Sequence, residues 1–137
     1  MLHLYAFCSS ATRPTLEDLA YAAGTDKSHD DHKYTDLYAS LFEPLRSSVL
    51  NFTEIGVSAG QSLLVWHDFF FNAHIFGVDI RIFRSAKSIA AKLPRCTLHQ
   101  LGSANAAKLE RLGLARASMD VVLDDGDHFP LTQMQAS

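Results

Sequence analysis

Four short apolar runs, at 49–55, 74–80, 96–101 and 119–123, alternate with stretches whose apolar residues recur every three or four positions. Sequential parallel strands need a helical crossover to return the chain to the same end of a sheet, so this alternation argues for an α/β fold with a parallel, doubly wound sheet. The same reading places helices over 61–70, 86–92 and 104–112, and two more, over 15–23 and 34–42, ahead of the first strand. Gly24 is positioned to stop the first of these and Pro44 the second. A helical segment over 1–45 is therefore expected before a sheet-forming region over 46–137. The run at 119–123 ends abruptly in Asp124 and Asp125, as expected of a strand buried on both faces.

At 137 residues, with 47% hydrophobic and 20% charged, the chain has the composition of one compact globular domain. Lys and Arg number 12 against 15 Asp and Glu, a formal charge of −3, so the basic footprint of a nucleic-acid binder is missing and a small or uncharged partner is expected. No apolar run approaches the roughly eighteen residues a membrane-spanning helix needs. The first ten residues lack the positive leading region of a secretory signal, and His3 interrupts their apolar stretch. Cys8 and Cys96 sit in unrelated contexts, against a disulfide scaffold or a four-thiolate zinc site. The expected location is the reducing cytoplasm.

Right-handed crossovers put every turn that follows a strand on one edge of the sheet, where ligands bind in this architecture. Residues 56–60, Asp79, 102–105 and 124–128 are expected to meet there. The sharpest local signal is Glu54-Ile55-Gly56-Val57-Ser58-Ala59-Gly60, whose glycines let the backbone turn into a helix and approach a ligand closely. A dinucleotide site wants glycine at position 58; Ser58 puts a side chain in the path of a pyrophosphate, whereas a ligand without phosphates tolerates it. Asp79, at the end of the second strand, is placed to accept both hydroxyl hydrogen bonds of a ribose. The plainer alternative is a structural turn followed by a solvated aspartate. Glu54 reads either as a polar cap on the sheet or as an acceptor for a ligand's ammonium or for backbone amides.

Asp124-Asp125-Gly126-Asp127-His128 forms a second constellation. Adjacent carboxylates at a strand end, followed by a histidine, suit a hard divalent cation such as Mg2+ together with a general base, His128. The competing reading is a solvated acidic turn with Asp127 capping the next segment. Asp26, Lys27, His29, Asp30, Asp31 and His32 read as a hydrated approach to a helix rather than a metal site. His3, His67, His74 and His99 read as surface or satisfied core histidines, and Trp66 with Phe69, Phe70 and Phe71 as core and helix end.

Gly24-Thr25-Asp26-Lys27, His32-Lys33-Tyr34-Thr35-Asp36-Leu37-Tyr38, Glu54-Ile55-Gly56-Val57, Val78-Asp79-Ile80 and Asp124-Asp125-Gly126-Asp127-His128, in that order, resemble the macrolide sugar O-methyltransferases typified by the mycinamicin and demethylmacrocin enzymes. The resemblance runs from Gly24 to the end. It implies a Rossmann-like class I methyltransferase fold, with residues 46–137 a partial S-adenosylmethionine-binding domain, and methyl transfer to a hydroxyl of a sugar or glycosylated small molecule. Carried over by position, Glu54, Gly56 and Gly60 resemble the methionine-side loop and Asp79 the ribose carboxylate. Asp125 resembles a metal ligand and His128 the base, while Thr25 and Lys27 lie in the amino-terminal segment near the cofactor.

Three departures stand out. Gln100-Leu101-Gly102-Ser103-Ala104-Asn105 lacks the carboxylates that the family carries near adenine, and Asp127 replaces a small hydroxyl residue. Only four of seven strands are expected here, which leaves the fourth as an exposed edge to be covered by a second copy in a homo-oligomer, another partner or further sequence. A non-catalytic or partner-dependent S-adenosylmethionine-binding remnant and an NAD-dependent oxidoreductase are the competing readings, the latter disfavoured by Ser58.

Overall fold

A computed structural model describes residues 12–24, 32–101 and 119–125. Within them run α1 (Leu16–Ala23), α2 (His32–Phe42), β1 (Asn51–Ile55), α3 (Gln61–Phe69), β2 (His74–Asp79), α4 (Arg84–Ala91), β3 (Cys96–Gln100) and β4 (Val121–Asp124). The four strands form one parallel sheet in the order β3-β2-β1-β4. The chain steps from β1 to β2 to β3 in one direction and then returns to the far side of β1. The reversal therefore falls between β1 and β4, the kind of crevice in which α/β sheets bind ligands. The helix expected over 104–112 and the turn at 102–105 lie outside the described residues.

Several helix ends have an identifiable cause. Thr15 caps α1: its hydroxyl accepts the Asp18 N–H at 3.1 Å while the Asp18 carboxylate accepts the Thr15 N–H at 2.9 Å. Gly24, at φ +67°, closes the helix in the left-handed conformation that a side chain disfavours. Pro44 follows α2 inside a 3-10 turn, Glu43–Leu45. The last carbonyls of α3 have no partner within the helix, and two arginines supply it. Arg46, itself buried, donates from Nε to the Phe69 carbonyl at 3.0 Å. Arg95 donates to the carbonyls of His67 at 2.9 Å, of Phe70 at 3.1 Å and of Ala73.

The main core lies between α3 and one face of the sheet. Phe52 of β1 stacks at 5.0 Å from Trp66 and 5.1 Å from Phe70, and Phe42 of α2 closes on Phe70 at 5.5 Å. Leu16 of α1, Leu63, Phe69, Ile75 and Leu123 complete the same buried cluster. Gly77 of β2 makes room for it, since a Cβ there would stand 2.6 Å from Leu98 Cδ2 and 2.8 Å from Val57 Cγ2. A smaller cluster on the opposite face joins Ile55 and Val78 to Phe76, Leu101 and Met119.

Several boundaries differ from those expected. The first strand begins at Asn51 rather than at 49 because the Val49 N–H is bonded back to the Leu45 carbonyl. The amides of Leu50 and Asn51 are both taken by Asp120 Oδ2, at 2.8 and 2.9 Å. That carboxylate splices the approach to β4 onto β1, and β4 starts only at Val121. The expectation that this strand is buried on both faces is corrected: β4 is an edge strand in which Leu123 is buried but Val122 is 45% exposed. α4 begins at Arg84, earlier than 86, without a side-chain cap. His67, expected at the surface or satisfied, is buried with Nδ1 on Asp68 at 2.9 Å and Nε2 lacking a partner. No described helix is long and apolar enough to cross a membrane.

Candidate functional site

The turn from Gly56 to Gly60 joins β1 to α3, and three of its residues have positive φ: Gly56 at +91°, Ser58 at +52° and Gly60 at +97°. The Gly56 N–H donates to the Val78 carbonyl at 2.8 Å, and the Gly60 N–H closes the turn on the Val57 carbonyl at 3.1 Å. Gly60 answers to packing as well as to backbone shape. A Cβ there would lie 2.7 Å from Ala86 Cα, so glycine is what lets the turn rest on α4. Ser58 holds a conformation that glycine adopts at less cost, although its side chain had argued only against a pyrophosphate.

Asp79 reaches across from the end of β2. Its Oδ2 accepts the N–H of Val57 at 2.8 Å and of Ser58 at 2.9 Å, while Oδ1 accepts the Arg81 N–H at 3.2 Å. Glu54 turns the other way, into the core, where it is 1% exposed. Its Oε2 accepts the Ser62 hydroxyl at 2.7 Å and its Oε1 the Trp66 indole N–H at 3.3 Å. Both oxygens thus engage α3.

On the other side of the turn, Asp124 pairs with Ile55, and the Asp125 N–H donates to the Ile55 carbonyl at 2.8 Å. The strand ends therefore bring Gly56, Asp79 and Asp125 to one edge, with the turn flanked by a carboxylate on each side. Thr25, Lys27 and His128 lie outside the described residues. Among the described residues no group of three or more His, Cys, Asp or Glu side chains could hold a metal ion. Magnesium commonly binds through one or two carboxylates and keeps several waters, so Asp125 suits one position in such a set.

Two exposed apolar residues at this edge were not singled out from the sequence. Ile80, directly after Asp79, is 66% exposed, and Phe83 is 42% exposed with the Arg81 guanidinium 4.9 Å from its ring centroid. Their signal was the apolar Ile80 following the strand-end carboxylate. A positive-φ turn, a carboxylate one strand away and an apolar platform beside it fit an adenosyl ligand that carries no phosphate.

The four-stranded parallel sheet with its ligand edge is part of a Rossmann-like class I methyltransferase fold. By sequence the chain is a homologue of the macrolide sugar O-methyltransferases. It is 33% identical over 84% of its length to the 8-demethyl-8-alpha-L-rhamnosyl tetracenomycin-C 2'-O-methyltransferase of Streptomyces olivaceus, covering 31% of that protein. It is 32% identical over 90% of its length to the mycinamicin VI 2''-O-methyltransferase of Micromonospora griseorubida, again covering 31%. The crystallised MycE methyltransferase from the mycinamycin biosynthetic pathway, in complex with Mg, SAH and mycinamycin VI, superposes with a TM-score of 0.76 at 27% identity. That match takes in 91% of this chain and 35% of MycE. The chain thus spans about a third of the length of the curated relatives it matches. No protein-family profile matches it.

Proposed function

We propose that the chain supplies the cofactor-binding and base-bearing portion of an S-adenosylmethionine-dependent, magnesium-dependent O-methyltransferase. The acceptor is a hydroxyl of a sugar or glycosylated small molecule. The observation that carries this reading is the juxtaposition of the positive-φ turn, Asp79 and Asp125 at the edge where the strand order reverses. Homology to sugar O-methyltransferases over 84% of the chain supports it.

In this reading residues 46–137 form the cofactor-binding region and 1–45 a helical segment that precedes it in sequence. Gly56 and Gly60 shape the turn for the methionine side, Asp79 receives the ribose and Ile80 offers an apolar surface to the base. Glu54 acts from beneath, setting the turn through α3. Thr25 and Lys27 are assigned to cofactor binding by the resemblance of their segment to that of the sugar O-methyltransferases. Asp125 is a magnesium ligand, and His128 accepts the proton of the acceptor hydroxyl as its oxygen becomes nucleophilic. When bound, S-adenosylmethionine supplies an electrophilic methyl group and magnesium orients the acceptor's oxygens.

The competing reading is cofactor binding without turnover. The test is calorimetric titration of the purified chain with S-adenosylmethionine and with NAD, alongside Asp79→Ala. Saturable binding of the first alone, lost in the variant, is expected. Binding of NAD in preference, or of neither by folded protein, overturns the proposal. Methylation of a glycoside by the same preparation, abolished in His128→Ala, separates the two readings.

A further inference from the structure

The two oxygens of Asp79 have different partners. Oδ2 receives two consecutive turn amides, Val57 at 2.8 Å and Ser58 at 2.9 Å, and Oδ1 receives only the longer contact from Arg81 at 3.2 Å. Consecutive amides aimed at one point, with Gly56 at φ +91° and Ser58 at φ +52°, make a concavity of the kind that holds an anion. Here the protein fills it with its own carboxylate.

We infer that Asp79 is a positioning residue as well as a ligand contact: Oδ2 latches the Gly56–Gly60 turn into shape before any ligand arrives, and Oδ1 is the face presented to a ribose. The inference rests on the proposed cofactor reading and goes beyond it, because it gives Asp79 an influence on ligands that have no ribose hydroxyls. Hydrogen bonds to a carboxylate are stronger than those between neutral groups. Without them the turn is ordered at the expense of the ligand's binding free energy.

Two measurements on Asp79→Ala, with Asp79→Asn as a milder second variant, test this. In ligand-free protein, amide hydrogen exchange at Val57 and Ser58 is expected to quicken by roughly tenfold or more, while Ile75 and Val78 in β2 keep their protection and report an intact sheet. In calorimetry, S-adenosylhomocysteine is compared with its 2′,3′-dideoxy analogue. A residue that only contacts ribose would leave the variant and the wild type equal toward the dideoxy compound. The latch predicts about a tenfold weaker affinity of the variant for it. Equal affinities for the dideoxy compound, or unchanged exchange at Val57 and Ser58, overturn the inference. Quickened exchange in a protein that binds neither ligand leaves the latch standing and removes the cofactor reading instead.

Discussion

Trp66 donates its indole N–H to Oε1 of Glu54 at 3.3 Å, in a part of the core where Glu54 is 1% exposed. The Ser62 hydroxyl takes the other oxygen at 2.7 Å, so this carboxylate ties β1 to α3 at two points one helical turn apart. Truncation leaves the buried Trp66 N–H without this acceptor and takes the half-buried Ser62 hydroxyl's partner as well. Glu54→Ala is expected to lower stability by on the order of 3 kcal/mol, and Glu54→Gln, which keeps an acceptor for one donor, by about 1 kcal/mol. Urea unfolding followed by Trp66 fluorescence measures both. Equal losses for the two variants would mean that the charge, not the hydrogen bonds, carries the tie.

Glycine at position 60 is set by α4. A methyl group there meets Ala86 Cα at 2.7 Å, on backbone at φ +97°. Gly60→Ala is expected to cost about 2–3 kcal/mol, from combined overpacking and backbone strain. Gly77→Ala meets side-chain atoms of Leu98 and Val57, which yield more readily, and should cost about 1–2 kcal/mol. Thermal unfolding ranks the two; the reverse order would show that α4 moves aside easily.

Ser58 sits at φ +52° with its side chain exposed. Ser58→Gly removes the left-handed penalty but adds unfolded-chain entropy, and the two nearly cancel, leaving stability within about 0.5 kcal/mol. Ser58→Val adds a branched Cβ that this conformation rejects and should cost about 1–2 kcal/mol. A stable valine variant would indicate that the turn relaxes to a different backbone.

His74 carries a pH dependence whose sign is set by its surroundings. Burial, and next the charge of Arg95, hold its imidazole below the usual value of 6.5, with Nε2 2.7 Å from the Thr97 hydroxyl. In the window just below pH 6.5 the unfolded chain binds more protons at this site than the folded one. Its contribution is therefore complete above that pH and is lost as pH falls. Asp18 and Asp120 are lowered by the backbone amides they accept, so their contributions persist until pH drops below about 3.8 and do not overlap. Urea midpoints between pH 7.5 and 5 should decline in the wild type and flatten in His74→Gln.

Strand and helix periods, the glycine turn and the meeting of Gly56, Asp79 and Asp125 at one edge were legible because each depends on local pattern and on the handedness of crossovers. What escaped reading depends on residues far apart in sequence. Asp120 lies within the run at 119–123 that reads as a strand, and only the fold shows it holding the amides of Leu50 and Asn51. Arg46 and Arg95 belong to no motif in the sequence, yet they cap α3 from two directions. Val122 read as core because an apolar run does not show which of its faces is covered, even where the strand is expected at an edge. Glu54 was open between cap and ligand contact, and its partners Ser62 and Trp66 lie in the next helix, where no motif marks them.

The position of β1 between β2 and β4 also orders events in time. On a growing chain, β1, β2 and β3 emerge in sequence and can pair through short crossovers. The other flank of β1, and with it the Asp125 side of the crevice, waits for a strand whose tether to Leu50 is 70 residues distant. Closing that loop is entropically the most demanding step among the strand pairings, so docking of β4 is expected to limit the rate of folding. A ribosome-bound chain halted after β3 would present the glycine turn and Asp79 before it possessed the acidic wall opposite them.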